Sequence, residues 1–188
     1  FWGVVGGLLS VIFRMQLGWP NETFPILETF LGKWAEGGKI SNEFYLSLVT
    51  MHGTILVFFV LTGGLSGTFS NLLIPYQIGA RDMASGFLNM LSYWFFFVSS
   101  CIMLASCFVE DGPASAGWTI YPPLSALGDA SSGSKIGMDL WLVSMAMFIV
   151  SSLLGGLNYI STILNLRTKG MAMTRMPLTI WAFFITAI

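Results

Sequence analysis

The chain has 188 residues, of which 55% are hydrophobic and 9% charged, with a formal net charge of −1 and a mean hydropathy of +0.77. A water-soluble domain of this length could not cover that much apolar surface, so a polytopic membrane protein is expected. A pI near 5.7 with no basic cluster gives no ground for nucleic-acid binding.

Apolar runs separated by glycine, proline and charge predict five spans at 1–13, 44–74, 87–108, 138–166 and from 177 onward, in one transmembrane domain covering 1–188 without internal repeats. The first run is shorter than a full span and starts at Phe1, and the last is still apolar at Ile188, so a fragment of a longer protein is expected. The apolar start has neither a basic n-region nor a small-residue cleavage site, which argues against a signal peptide. Segment 16–43 reads as a polar loop with two prolines, in which 26–34 could form a short interfacial helix. The second and fourth runs are long enough to tilt or to project from the hydrocarbon. Cys101 and Cys107 share the third run, about 9 Å apart along a helix axis and too far for a disulfide. Segment 109–137, with Gly112-Pro113 and Pro122-Pro123, predicts ordered turns around Trp118 and Tyr121, then looser chain over the serine-rich 131–134.

With alternating loops, Arg81, Arg167, Lys169 and Arg175 fall in the short connections on one side. Lys33, Lys39 and Lys135 fall in longer connections on the other, with Arg14 at a span end. Basic density makes the first side cytoplasmic or matrix-facing.

The only histidine, His52, sits inside the second apolar run, where an ionisable ring is costly and a functional site is the default reading. A neutral imidazole there needs a partner. Either a metal or haem iron takes its lone pair, or the ring bonds to a neighbouring helix. Gly63 and Gly67 form a small-xxx-small pair, and α-helical phase would put Gly63 on the His52 face, for a flat cofactor or plain helix packing. A second constellation comprises Asn71, Asp82, Asn89 and Ser92, continued in the fourth span by Ser151, Ser152 and Asn158. Amides and hydroxyls on facing helices can hold a file of water, and Asp82 could collect protons at its inner mouth. Alternatively these side chains are interhelical glue and Asp82 is a loop acid beside Arg81.

Six runs decide between these readings: Arg14-Met-Gln-Leu-Gly-Trp-Pro20, Met51-His52-Gly-Thr-Ile-Leu-Val-Phe-Phe59, Asn71-Leu-Leu-Ile-Pro-Tyr-Gln-Ile-Gly-Ala-Arg-Asp82-Met-Ala84, Leu88-Asn89-Met-Leu-Ser92-Tyr-Trp94, Gly117-Trp118-Thr-Ile-Tyr121-Pro-Pro-Leu124 and Ser151-Ser-Leu-Leu-Gly-Gly-Leu-Asn158-Tyr-Ile-Ser-Thr-Ile-Leu-Asn165. In this order they resemble subunit I of the haem-copper oxidases, closest to cytochrome c oxidase, from end to end of the chain. The resemblance implies an all-α bundle of twelve membrane helices, of which this chain looks like the first five. It implies that His52 is one of two axial histidines of a low-spin haem, of the A type, with Arg14 at the haem periphery and Trp118 near the propionates. Asn71, Asp82, Asn89, Ser92, Ser151, Ser152 and Asn158 look like the family's proton pathway from the cytoplasmic or matrix side. The high-spin haem and the copper of such enzymes need further histidines, expected on later helices of the full subunit. Oxygen as substrate, cytochrome c or quinol as donor, the lipid bilayer, and oxidase subunits II and III are the implied partners.

Some residues depart from the family pattern. Ser85-Gly86-Phe87 stands where many relatives have Phe-Pro-Arg, and Ala80-Arg81-Asp82 replaces Ala-Pro-Asp, a form also similar to quinol oxidases. Gln16 replaces a glutamate that binds calcium or sodium in some relatives, so no such site is expected from it. Ala146 replaces a histidine of some mitochondrial relatives and segment 16–43 is long, both favouring a bacterial plasma membrane. Within the superfamily, a nitric oxide reductase should lack the Asn71/Asp82/Asn89 pattern. A non-redox transporter using Asp82 as a relay and His52 as a proton carrier is the competing class.

Overall fold

A computed structural model of the chain describes residues 1–110, 112–127 and 135–188. The fold is all-α, a helical membrane bundle, with no strand among the described residues. Helix α1 spans Trp2–Gly18, α2 Pro25–Leu31, α3 Asn42–Thr54, α4 Gly67–Ile78, α5 Gly86–Ser106, α6 Lys135–Asn165 and α7 Leu178–Ala187. A π-helical stretch, Ile55–Ser66, joins α3 to α4, so that Asn42–Ile78 is continuous apolar helix in sequence. Asn42–Ile78, Gly86–Ser106 and Lys135–Asn165 are long and apolar enough to cross a bilayer, and α1 and α7 are shorter apolar helices.

Several boundaries differ from expectation for local reasons. Helix α1 runs past Phe13 to Gly18, because Arg14, Met15, Gln16 and Leu17 all favour helix and nothing breaks it before Gly18-Trp-Pro20. The helix expected at 26–34 opens on Pro25, whose missing N–H is harmless in a first turn. It stops at Leu31, since Gly32 takes φ +54, and 3₁₀ turns over Gly32–Gly38 follow. Ser41 starts α3 by accepting the Phe44 N–H on its hydroxyl at 3.2 Å. Helix α5 ends at Ser106, so Cys107 lies beyond it, where burial pushes its thiol up to about 11 against a lowering bond from Ser106. Both cysteines are free. The π stretch closes i→i+5 and holds more residues per turn, so the α-helical phase that put Gly63 on the His52 face does not carry through it. The looser chain expected at 131–134 lies outside the described residues.

The described chain forms two compact units. One comprises Phe1–Val60 and Ile102–Leu142. Its core packs Phe13 of α1 with Phe44 and Leu48 of α3, closed by Leu27, Ala35 and Ile40 from the intervening loop. Trp34 stacks on Phe44 at 5.3 Å, and Gly112 at φ +88 admits the edge of the same indole. The turns expected around Trp118 are pinned to α3, as Ser47 donates to the Pro113 carbonyl at 3.0 Å and Thr50 accepts the Gly117 N–H at 3.0 Å.

The other unit comprises Leu61–Cys101 and Val143–Ile188. Ile74, Ile78, Met83, Ile163, Met176 and Ile180 form its core. Within it α5 and α6 are stapled by two reciprocal serine pairs. Ser92 donates to the Ser151 carbonyl at 2.9 Å and Ser151 to the Ser92 carbonyl at 2.7 Å; Ser99 and Ser144 exchange the same bonds at 2.7 Å each. Side chains this short reach a facing backbone only where two helices approach closely, which small residues permit.

Candidate functional site

His52 lies on the last full turn of α3, in the first unit, with its ring half buried. Its Nδ1 sits 2.8 Å from the Gly6 carbonyl of α1. A carbonyl can only accept, so Nδ1 carries the proton and donates. Nε2 therefore holds the free lone pair, and it makes no hydrogen bond among the described residues. A second partner that fixes the tautomer and orients the ring is what metal-bound histidines have. Phe13 meets the ring edge-on at 5.5 Å. The two readings left open for His52 are thus compatible: one nitrogen bonds the neighbouring helix, and the other keeps its lone pair.

Gly6 makes this possible. A Cβ there would lie 2.8 Å from Leu56 Cδ2 and 3.1 Å from Ile55 Cγ2. Leu56 can rotate away, but the β-branched Ile55 has little freedom. Gly6→Ala in the full-length protein is expected to cost roughly 1–2 kcal/mol by overpacking and to loosen the His52 bond. Thermal denaturation checks this, and an unchanged melting temperature refutes the close approach of α1 to α3.

Trp118 is half exposed and lies against the helix turn that carries His52. Its Cδ1 is 3.6 Å from where a Cβ on Gly53 would sit, and its ring is 5.8 Å from Phe58. Arg14 follows Phe13 on α1 with its side chain exposed. Buried Thr54, two residues past His52, accepts the Trp141 indole N–H at 3.0 Å and locks α6 to this turn. Nothing in the sequence assigns a role to Gly6 or Trp141, and Gly53 and Thr54 stand out only as members of the run that follows His52. Clustered glycines in α1 were the only trace of the first.

The other expected residues all fall in the second unit. Asp82 is exposed in the loop between α4 and α5, where its Oδ1 accepts the Met83 N–H at 2.7 Å. Asn71 donates from Nδ2 to the Gly67 carbonyl of its own helix at 2.6 Å, while its Oδ1 is buried without a partner among the described residues. Pro75, four residues on, has no N–H to offer the Asn71 backbone carbonyl in the usual α-helical bond. Buried orphans of this kind are where ordered water is expected. Asn89 is half buried on the first turn of α5, and Ser152 is exposed on α6.

Ser92 and Ser151 are brought together, but each spends its single O–H on the partner's backbone. Their lone pairs remain as acceptors. Asn158 is fully buried and bonds the backbone of Ser85, in the Asp82 loop. No group of three His, Cys, Asp or Glu side chains suited to a metal ion occurs among the described residues.

The whole chain, residues 1–188, matches the family model described as Cytochrome C and Quinol oxidase polypeptide I. "Alternative cytochrome c oxidase subunit 1" of Bradyrhizobium diazoefficiens is 40% identical over 186 residues, 99% of this chain and 29% of the relative. "Cytochrome c oxidase subunit 1" of Eremothecium gossypii is 38% identical over 188 residues, 100% of this chain and 32% of the relative. "Putative cytochrome c oxidase subunit 1-beta" of Streptomyces avermitilis is 35% identical over 185 residues, 98% of this chain and 30% of the relative. The chain thus spans about a third of the length of the curated relatives it matches.

Proposed function

Since the chain belongs to the cytochrome c and quinol oxidase polypeptide I family, we propose that the full-length protein is subunit I of a terminal respiratory oxidase that takes electrons from cytochrome c, reduces O2 to water and pumps protons. The observation that carries this reading is the Nδ1 bond from His52 to Gly6, which leaves the Nε2 lone pair available for a haem iron. A low-spin haem A, when bound, supplies one-electron storage between the donor and a haem-copper centre. His52 would hold its iron, Arg14 would offer a positive charge toward it, and Trp118 would lie near its propionates. This chain has one histidine, so any further histidine ligands for haem or copper would have to come from residues outside it.

Asp82 collects protons at the inner mouth. Asn71, Asn89, Ser92, Ser151, Ser152 and Asn158 line the route inward, Asn71 through its buried Oδ1 and the serines through their lone pairs. Subunits II and III complete the complex in the bilayer. The relatives' names support cytochrome c as donor, and the Ala80-Arg81-Asp82 form supports quinol as the alternative. The long 16–43 loop and the bacterial relatives favour a bacterial plasma membrane.

Membranes containing the full-length protein are expected to show a low-spin haem band in a reduced-minus-oxidised spectrum. A spectrum without it overturns the oxidase and favours the transporter.

A further inference from the structure

The α4–α5 loop carries Asp82, yet the buried side chains that reach this loop from α6 bond to its backbone and not to the acid. Thr162 Oγ1 accepts the Ala84 N–H at 2.9 Å. Its own proton goes to the Asn158 carbonyl at 2.6 Å, so its lone pair is aimed at the loop. Asn158 grips Ser85 at both ends, accepting its N–H on Oδ1 at 2.9 Å and donating from Nδ2 to its carbonyl at 3.1 Å. Both α6 residues are fully buried.

At the other end of the loop, Thr168 bonds the Ile78 carbonyl through its N–H at 3.0 Å and its hydroxyl at 2.6 Å. Met83, next to Asp82, is sunk in the unit's core. An unclamped loop residue keeps its backbone freedom, so these anchors restrict where the exposed carboxylate between them can sit. The Ser85 carbonyl also accepts the Asn89 N–H at 3.1 Å, and its hydroxyl accepts the Leu88 N–H at 3.2 Å, opening α5. One clamp on α6 therefore registers Asp82 and Asn89 together.

We propose that Thr162, with Asn158, is a positioning residue for proton uptake: it holds the Ala84–Ser85 backbone so that the Asp82 carboxylate and the first turn of α5 keep a fixed spacing. This rests on the reading of Asp82 as the proton collector. Asn158 keeps one lone pair and one N–H beyond the clamp, so lining the route and positioning the loop are compatible roles.

The test uses the full-length oxidase in vesicles, with Thr162→Val, which keeps the shape and removes the acceptor, and Thr162→Ser, which restores it. Each is measured alone and combined with Asp82→Asn. Thr162→Val is expected to keep the haem spectrum, slow oxygen consumption roughly three- to tenfold and displace its pH profile, because one lost backbone bond frees the carboxylate to sit elsewhere. Thr162→Ser is expected to recover wild-type rate and profile. Combined with Asp82→Asn, Thr162→Val is expected to add nothing. Should the valine variant lose its haem, Thr162→Ala, with less bulk against Ala84, gives the same readouts. Wild-type rate and pH profile in an acceptor-less variant, beside a slow Asp82→Asn, overturn the clamp and leave Asp82 standing. Full additivity with Asp82→Asn also overturns it. A wild-type rate in Asp82→Asn itself removes the uptake reading and the clamp with it.

Discussion

Replacing His52 with alanine in the full-length subunit is expected to abolish the low-spin haem signal and to lower oxygen consumption by more than about a hundredfold. The substitution removes the Nε2 lone pair that faces no protein partner and the Nδ1 proton that holds the ring to Gly6. Alanine offers neither a ligand nor a filler for the space beside Phe13. The haem is expected to be lost or to become high-spin, which the visible spectrum of the purified variant reports directly. His52→Met tests the same point from the other side, since a thioether can serve as an axial ligand and raises the potential of the haem it binds. A low-spin spectrum unchanged by His52→Ala would sink the assignment.

Asp82→Asn is expected to leave the haem spectrum intact while slowing oxygen consumption at least about tenfold and abolishing pumped protons. Asparagine matches aspartate in size and can still accept the Met83 N–H, so the loop should keep its shape. What it cannot do is take up and release a proton. Moving one charge against 100 mV costs about 2.3 kcal/mol, and without a resupplied donor that work stops. Oxygen consumption and external acidification, measured in vesicles at identical donor supply, separate the possibilities. Wild-type values for both would make Asp82 an ordinary loop acid.

Much of this molecule was legible before any coordinates. Apolar runs of membrane length permit few backbones other than a helix, because every N–H and C=O in hydrocarbon must be satisfied within the segment. That constraint is local, so the three long spans, the all-α class and the isolation of His52 and Asp82 follow from the order of residues alone. Breakers are equally local: Gly79 ends α4, and Gly32 ends the helix that opens on Pro25 three residues short of the expected Trp34.

The tertiary structure decided the partners. His52 is fixed by a backbone carbonyl 46 residues away, and the Ala84–Ser85 backbone that follows Asp82 by Thr162 and Asn158, 78 and 73 residues away. A carbonyl or amide is present at nearly every position, so the sequence carries no mark of which one is chosen. The same reason hid the spending of the Ser92 and Ser151 hydroxyls on each other's backbone, since a serine at helical spacing reads alike whether it faces water or a neighbouring helix. The π stretch after α3 was hidden differently. It shifts the phase along Ile55–Ser66 without changing the composition, so periodicity extrapolated from His52 placed Gly63 on a face that the wider turns do not preserve. Sequence determined which chemical groups this membrane segment possesses; the close approach of its helices determined which of those groups are held, and which are left free to act.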